Sequence, residues 1–135
     1  MAEIVYTIYE SDFIIVTYHP ELKIIHSELL ASAPGADLRA ALNAGTNILR
    51  RYGVSKWLSD ERANDGLPAE EVQYQIADWV PRTVRAGWKY WAIVVPQSLE
   101  AQADIMSVVQ ASYDLGVRSR VFTDPHEALD WLASL

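Results

Sequence analysis

A short apolar strand near the middle of the chain leads directly into a charged cluster, in the run Lys56-Trp57-Leu58-Ser59-Asp60-Glu61-Arg62. Carboxylates at this spacing could form a general acid/base pair, a site for a hard metal ion or a polar docking edge. Catalysis by two carboxylates requires environments that separate their pKa values, which residue types alone do not establish. The ligand spacing of an EF-hand calcium site is absent. We therefore expect Asp60 and Arg62 to pair with each other or to cap backbone amides, as ion pairs at strand ends commonly do.

Other catalytic and cofactor motifs do not match the sequence. The three histidines, His19, His26 and His126, lack the spacing of a helical zinc motif, and there is no cysteine to act as nucleophile or thiolate ligand. The nucleophile elbow of the α/β hydrolases, the P-loop and the glycine-rich dinucleotide motif are also missing. The sequence thus predicts a protein that is not an enzyme and that has no metal site and no cofactor.

The segment 68–87 has the apolar spacing of a helix, with Val72, Ile76 and Trp79 on one broad face. Pro81 has no amide hydrogen to donate to the carbonyl of Ala77, so we expect the helix to kink or break there. An aromatic, kinked helix is compatible with a lid over an apolar pocket or with an interface. For Trp79, we expect ordinary packing in the core rather than contact with a ligand.

These features belong to a pattern of alternating strands and helices. Residues 4–9, 13–18 and 24–29 read as an antiparallel meander, because short turns connect them. Strands at 56–59, 91–95 and 120–123 then alternate with four helices. The second helix begins at Pro68, and Asp37, Ser98 and Asp124 are the expected N-caps of the other three. The pattern predicts one α/β domain over residues 1–135, with a mixed sheet.

Composition restricts the classes of partner. The formal net charge of -7 argues against nucleic acid, since binding to phosphates depends on lysine and arginine. No apolar run approaches the roughly 20 residues of a membrane span. The amino-terminal residues lack the basic and apolar regions of a signal peptide. We therefore expect a cytoplasmic protein without a membrane span.

The order of elements resembles the SpoIIAA-like or STAS fold, and in particular a bacterial family described as STAS/SEC14-like. The resemblance is carried by Lys56 to Arg62, Asp78-Trp79-Val80-Pro81-Arg82, the strand from Trp91 to Pro96, and the stretch from Val121 to Leu132. It implies one of two functions. Anti-sigma-factor antagonists of this fold bind partner proteins and are phosphorylated on a serine at the start of the helix after the central strand. SEC14-like relatives hold apolar ligands beneath a mobile helix. Here no serine lies between Asp60 and the helix, so the phosphorylation motif is missing.

The sequence therefore predicts a non-catalytic binding module, with a homodimer as its expected assembly. A partner protein would dock on the loop and helix that follow the strand Lys56 to Ser59. The alternative is a carrier that holds a small apolar ligand under the 68–87 helix. An enzyme is the least favoured hypothesis. The residues expected to make contact are Asp60, Glu61, Arg62, Asn64 and Asp65 at a polar edge, with Val72, Ile76 and Trp79 as apolar contacts.

Overall fold

The computed structural model describes residues 3–135, so Met1 and Ala2 of the amino terminus lie outside the described residues. Its centre is a six-stranded mixed sheet in which each strand pairs with its neighbours in sequence order. The first three strands are antiparallel and the last three continue the sheet in parallel. The strands are β1 (Tyr6–Glu10), β2 (Ile14–His19), β3 (Ile24–Leu29), β4 (Lys56–Asp60), β5 (Tyr90–Val94) and β6 (Arg118–Phe122).

Four helical segments connect and flank the strands, and the second is interrupted. The helices are α1 (Gly35–Tyr52), α2 (Ala69–Tyr74), a π-helix (Gln75–Trp79), α3 (Val80–Ala86), α4 (Leu99–Asp114) and α5 (Pro125–Ala133). Helix α5 packs on β4, β5 and β6, and the other helices cover the opposite face. The predicted α/β class, with an amino-terminal antiparallel meander followed by β/α units, is confirmed.

Two of three expected helix caps are present. Ser98 accepts from the amide of Ala101 at 3.2 Å, and Asp124 accepts from the amide of His126 at 2.9 Å. Asp37 was expected to begin α1 as its cap, and that prediction is wrong. The helix begins at Gly35, after Pro34, so Asp37 lies in the first turn and instead accepts from the hydroxyls of Tyr9 and Ser11. A carboxylate in this turn is still favourable, because it complements the helix dipole.

The larger core contains a cluster of four tryptophans, whose neighbouring ring centroids lie 5.0 to 6.5 Å apart. Each of the four is at most 2% exposed. Because a buried indole must place its N–H group on an acceptor, this core needs polar side chains inside it. Some of those side chains line the candidate site. The four residues are Trp57, Trp79, Trp88 and Trp91.

Candidate functional site

The cluster after β4 is divided between the two faces of the sheet. Successive side chains of a strand point to opposite faces. Trp57 and Ser59 therefore face the tryptophan core, whereas the side chains of Leu58 and Asp60 point to the side covered by α5, although Asp60 also forms part of the cavity wall. Neighbouring residues in the sequence thus belong to two different environments: a polar cavity inside the core and an open groove on the other side.

Asp60 and Arg62 form the ion pair that the sequence predicted. Arg62 donates from Nη2 to Oδ2 of Asp60 at 2.7 Å and from Nε to Oδ1 at 3.0 Å, and its backbone amide also donates to Oδ1. The Asp60 side chain is 4% exposed, and the Arg62 side chain is 47% exposed. The adjacent carboxylate raises the pKa of Arg62 above its usual range. A two-point bond of this type fixes the guanidinium group at the rim of the site.

Glu61 turns in the opposite direction, and its carboxyl group lines the cavity inside the core. Its backbone amide donates to the carbonyl of Val94 at 2.9 Å, which fixes the start of the loop beside β5. The pKa of Glu61 is raised to about 7, chiefly by burial; the hydrogen bond from Asn64 opposes this shift, and the charge of Asp60 contributes to it. A carboxyl group that exchanges its proton near neutral pH is typical of functional sites.

Asn64 belongs to the interior rather than to a polar surface. The residue is 2% exposed, and its Nδ2 donates to Oε2 of Glu61 at 3.3 Å. Its Oδ1 accepts from the amide of Gly66 at 2.9 Å, so the side chain also closes the turn of the loop. Both bonds hold Glu61 and the loop together.

A pair of serines joins two of the tryptophans beneath this loop. Trp57 donates from Nε1 to Oγ of Ser27 at 3.0 Å, and Trp91 donates from Nε1 to Oγ of Ser59 at 2.9 Å. The two serine oxygens are 3.4 Å apart. Sequence reasoning missed this network, although the alternation of Trp57 and Ser59 along one strand placed both side chains on the same face.

The helix interruption expected near Pro81 is present as a π-helix. The amide of Val80 donates to the carbonyl of Gln75, five residues earlier. Pro81 cannot donate to the carbonyl of Ala77, so the regular helical pattern could not continue through this turn. Such single π turns often occur at functional sites. Here the π-helix places Gln75 and Trp79 on the wall of the cavity.

The cavity itself is small, with a volume of about 20 Å³. Polar and apolar side chains both line it. The polar ones come from the ends of β3 and β4, the loop and the π-helix, and the apolar ones come mainly from β2, β3, α1 and the tryptophan core. The polar lining residues are Ser27, Ser59, Asp60, Glu61, Asn64 and Gln75.

The remaining predicted contact residues differ in how far they are exposed to solvent. Asp65 is exposed, and its backbone amide donates to Oγ of Ser32. Val72 and Ile76 are partly buried and pack against the large core. Trp79 is 1% exposed and donates to Oγ1 of Thr46 at 2.9 Å, so it does not present its ring to a partner in this structure.

An open groove of about 390 Å³ lies on the other side of the Asp60–Arg62 pair. Leu30 contributes an apolar side chain at its rim and is 47% exposed. The groove thus combines a fixed ion pair with accessible apolar surface. Its lining residues are Glu28, Leu29, Leu30, Asp60, Arg62, Ala63 and Gln97.

Within residues 3–135, no group of three or more histidine, aspartate or glutamate side chains is placed to hold a metal ion. In the same part of the chain, no helix is both long and apolar enough to cross a membrane. No family model matches the chain, and neither a curated protein nor a solved structure matches it significantly.

Proposed function

We propose that this domain is a non-catalytic binding module that docks a basic segment of a partner protein. The docking surface consists of the loop 61–67 and the groove beside Asp60 and Arg62. The observation that carries the proposal is that the fixed, half-exposed Arg62 side chain and the exposed Leu30 line the same groove. Interfaces commonly combine an arginine with accessible apolar surface.

The charge distribution supports a basic partner. Helices that connect parallel strands run antiparallel to them, so the first turns of the helices lie at the same end as the loop 61–67. These turns carry acidic side chains, whereas the last turns of α1 and α3 carry arginines. Each charge complements a helix dipole. Together they give the docking end an excess of negative charge, which attracts a positively charged partner. The acidic residues are Asp37, Glu70, Glu100 and Glu127, together with Glu71, whose charge is neutralised by Arg39 at 2.8 Å and adds nothing to the excess.

The small volume of the interior cavity gives little support to the alternative function as a carrier. Pockets for small organic ligands typically measure roughly 300–1,000 Å³. The cavity beside Trp79 measures about 20 Å³. An apolar ligand would therefore require the loop or the interrupted helix to move. Native mass spectrometry followed by organic extraction tests this directly, because a co-purified apolar molecule supports the carrier and argues against docking as the primary role.

Membership of the SpoIIAA or STAS family stays a proposal, supported by the antiparallel start of the sheet and the β/α units that follow. A homodimer and a cytoplasmic location also stay predictions. The same native mass spectrum gives the mass of the assembly.

The docking proposal is tested by identifying a partner and then measuring its affinity for variants. A protein captured on the immobilised domain at low salt is purified, and its dissociation constant is measured by calorimetry. We expect Leu30→Ser and Asp65→Lys to weaken binding at least tenfold, and we expect added salt to weaken it further. Leu115→Ser and Asp130→Lys serve as matched controls, since Leu115 is as exposed as Leu30 and Asp130 is an exposed acid on α5.

A dissociation constant unchanged by Leu30→Ser and Asp65→Lys would place the interface elsewhere and refute the proposal. Arg62 itself is replaced by lysine rather than alanine. Lysine keeps a positive charge beside the buried Asp60, so a loss of binding by Arg62→Lys reports the lost two-point geometry rather than unfolding.

A further inference from the structure

We propose that the cavity beneath the loop is a binding site for one ordered water molecule, bridged by Glu61, Gln75 and Ser59. This site would hold solvent rather than a protein segment, although Leu29 and Asp60 line both the cavity and the adjacent docking groove. The inference therefore does not depend on the existence of a partner.

The volume of the cavity sets the size of the ligand. A site must offer at least roughly 10–15 Å³ to a water-sized probe to hold one water molecule. The cavity offers about 20 Å³. This space is sufficient for an ordered water molecule and far below the roughly 300–1,000 Å³ typical of pockets for organic ligands.

Counting protons identifies a free donor at the serine pair. Each serine oxygen accepts an indole N–H group, from Trp57 or from Trp91. The two hydroxyl groups share one hydrogen bond, at 3.4 Å. Two hydroxyl protons are present and this bond uses only one of them, so the other is directed to a further acceptor.

Gln75 provides a second unpaired group. The residue is 6% exposed and lines the cavity. Among the described residues, its side-chain amide makes no hydrogen bond, although an amide can donate twice and accept twice. The amide atoms are not among the fully buried polar atoms that lack a partner, so a water-sized probe reaches them, and ordered water commonly bonds to such groups in a polar cavity.

Glu61 completes the site with an acceptor. The residue lines the cavity, its Oε2 accepts from Asn64, and Oε1 accepts no hydrogen bond from the described residues. The surrounding groups thus include donors from the serine pair and Gln75, and acceptors from Gln75 and Glu61. Water both donates and accepts, and so matches this mixture, whereas a cation would require acceptors alone and an anion donors alone.

The position of the water has a structural consequence. Glu61 belongs to the loop, Gln75 to the π-helix and Ser59 to the sheet, so a water bonded to all three joins three separate elements.

The test combines a high-resolution crystal structure with oxygen-17 relaxation dispersion, which counts long-lived internal waters. We expect density for one water within about 2.7–3.2 Å of Glu61, Gln75 and the serine pair. We expect Gln75→Leu to lose this water and to reduce the count of long-lived waters by one. Gln97→Leu, at an exposed position, serves as the matched control and should leave the count unchanged.

Ser59→Ala provides a second variant in case Gln75→Leu does not fold, and it should also lose the water. The absence of density in the wild-type cavity would overturn the proposal. So would a cation at this position, recognised by higher coordination and by replacement with a heavier ion. An unchanged water count in both Gln75→Leu and Ser59→Ala would overturn it as well.

Discussion

Asn64 holds the carboxyl group of Glu61 inside the domain, through a hydrogen bond of 3.3 Å from Nδ2 to Oε2. The two residues are three positions apart in one loop, and the backbone amide of Asn64 also donates to the carbonyl of Glu61 at 3.0 Å. The turn itself therefore directs the carboxyl inward. Burying a group that is charged in water costs stability when it ionises, and this cost leads to the first prediction.

Glu61→Gln should stabilise the fold at alkaline pH. The pKa of Glu61 rises from 4.5 in the unfolded chain to about 7 in the folded protein. Between these values the folded state keeps a proton that the unfolded chain has released, so the stability of the wild type decreases as pH rises. The full loss is about 3 kcal/mol above pH 7. Urea denaturation should show the variant more stable than the wild type by up to this amount at pH 8, with little difference at pH 4.5.

The matched control is Glu21→Gln, which makes the same change at an exposed turn position. It should follow the wild type at both pH values. Equal stability of Glu61→Gln and the wild type at pH 8 would show that the carboxyl of Glu61 ionises without penalty.

His26 should make the fold sensitive to acid. The pKa of His26 is lowered to about 4, chiefly by burial and also by the charges of His19 and Arg62, whereas Asp60 opposes the shift. Its Nε2 is buried without a hydrogen-bond partner among the described residues. Between pH 6.5 and pH 4 the unfolded chain binds a proton that the folded state does not. Stability therefore falls as pH decreases through this range, by about 3 kcal/mol in full.

The variant His26→Phe should lose most of this acid sensitivity, as measured by urea denaturation at pH 7 and pH 4.5. His126→Phe, at an exposed position on α5, should retain it. An acid-induced loss of stability that is equal in His26→Phe and the wild type would exclude His26 as the responsible group.

The sequence predicted the elements well, because their signals are local. Alternation, helical spacing and the capping residues Ser98 and Asp124 depend on neighbours within a few positions. Pro81 interrupts its helix because proline has no amide hydrogen and its ring crowds the preceding turn. Asp37 failed as a cap because the preceding Pro34 and Gly35 already begin the helix. The Asp60–Arg62 pair was also predictable from a local signal, because the two residues are only two positions apart.

The interior of the site could not be predicted in this way. Ser27 meets Ser59 across two strands, and Gln75 reaches the same cavity from a helix that follows both. Asn64 looked like a surface residue because loops are usually exposed, but it is buried by its bond to Glu61. Such contacts depend on sheet register and helix packing, which residue types do not specify.

Gly45→Ala should destabilise the fold, although alanine is normally the better residue within a helix by about 1 kcal/mol. A β-carbon at this position would overlap the six-membered ring of Trp57, with Cζ2 of that ring at 3.0 Å. Overpacking of this kind typically costs about 1–3 kcal/mol. A double-mutant cycle with Trp57→Phe checks the cause, since the smaller ring should remove most of the penalty. A penalty that persists with phenylalanine would mean that the helix, rather than the ring, opposes the change.

Thr46→Val should destabilise the fold by at least about 2 kcal/mol, despite its nearly unchanged shape. Oγ1 of Thr46 lies 2.9 Å from both Nε1 of Trp79 and Oγ1 of Thr83, and all three residues are at most 1% exposed. Valine leaves the indole N–H and the Thr83 hydroxyl without their partner, and each unpaired buried group costs about 1–3 kcal/mol.

Adding Thr83→Val removes one of these unpaired groups. The double variant should therefore lose less stability than the sum of the two single variants, as measured by urea denaturation. Thr123→Val, at an exposed position after β6, should change stability by less than about 0.5 kcal/mol. Strictly additive losses would show that Thr46 and Thr83 do not share a hydrogen bond, and Trp79 would then be held mainly by the packing of the tryptophan cluster.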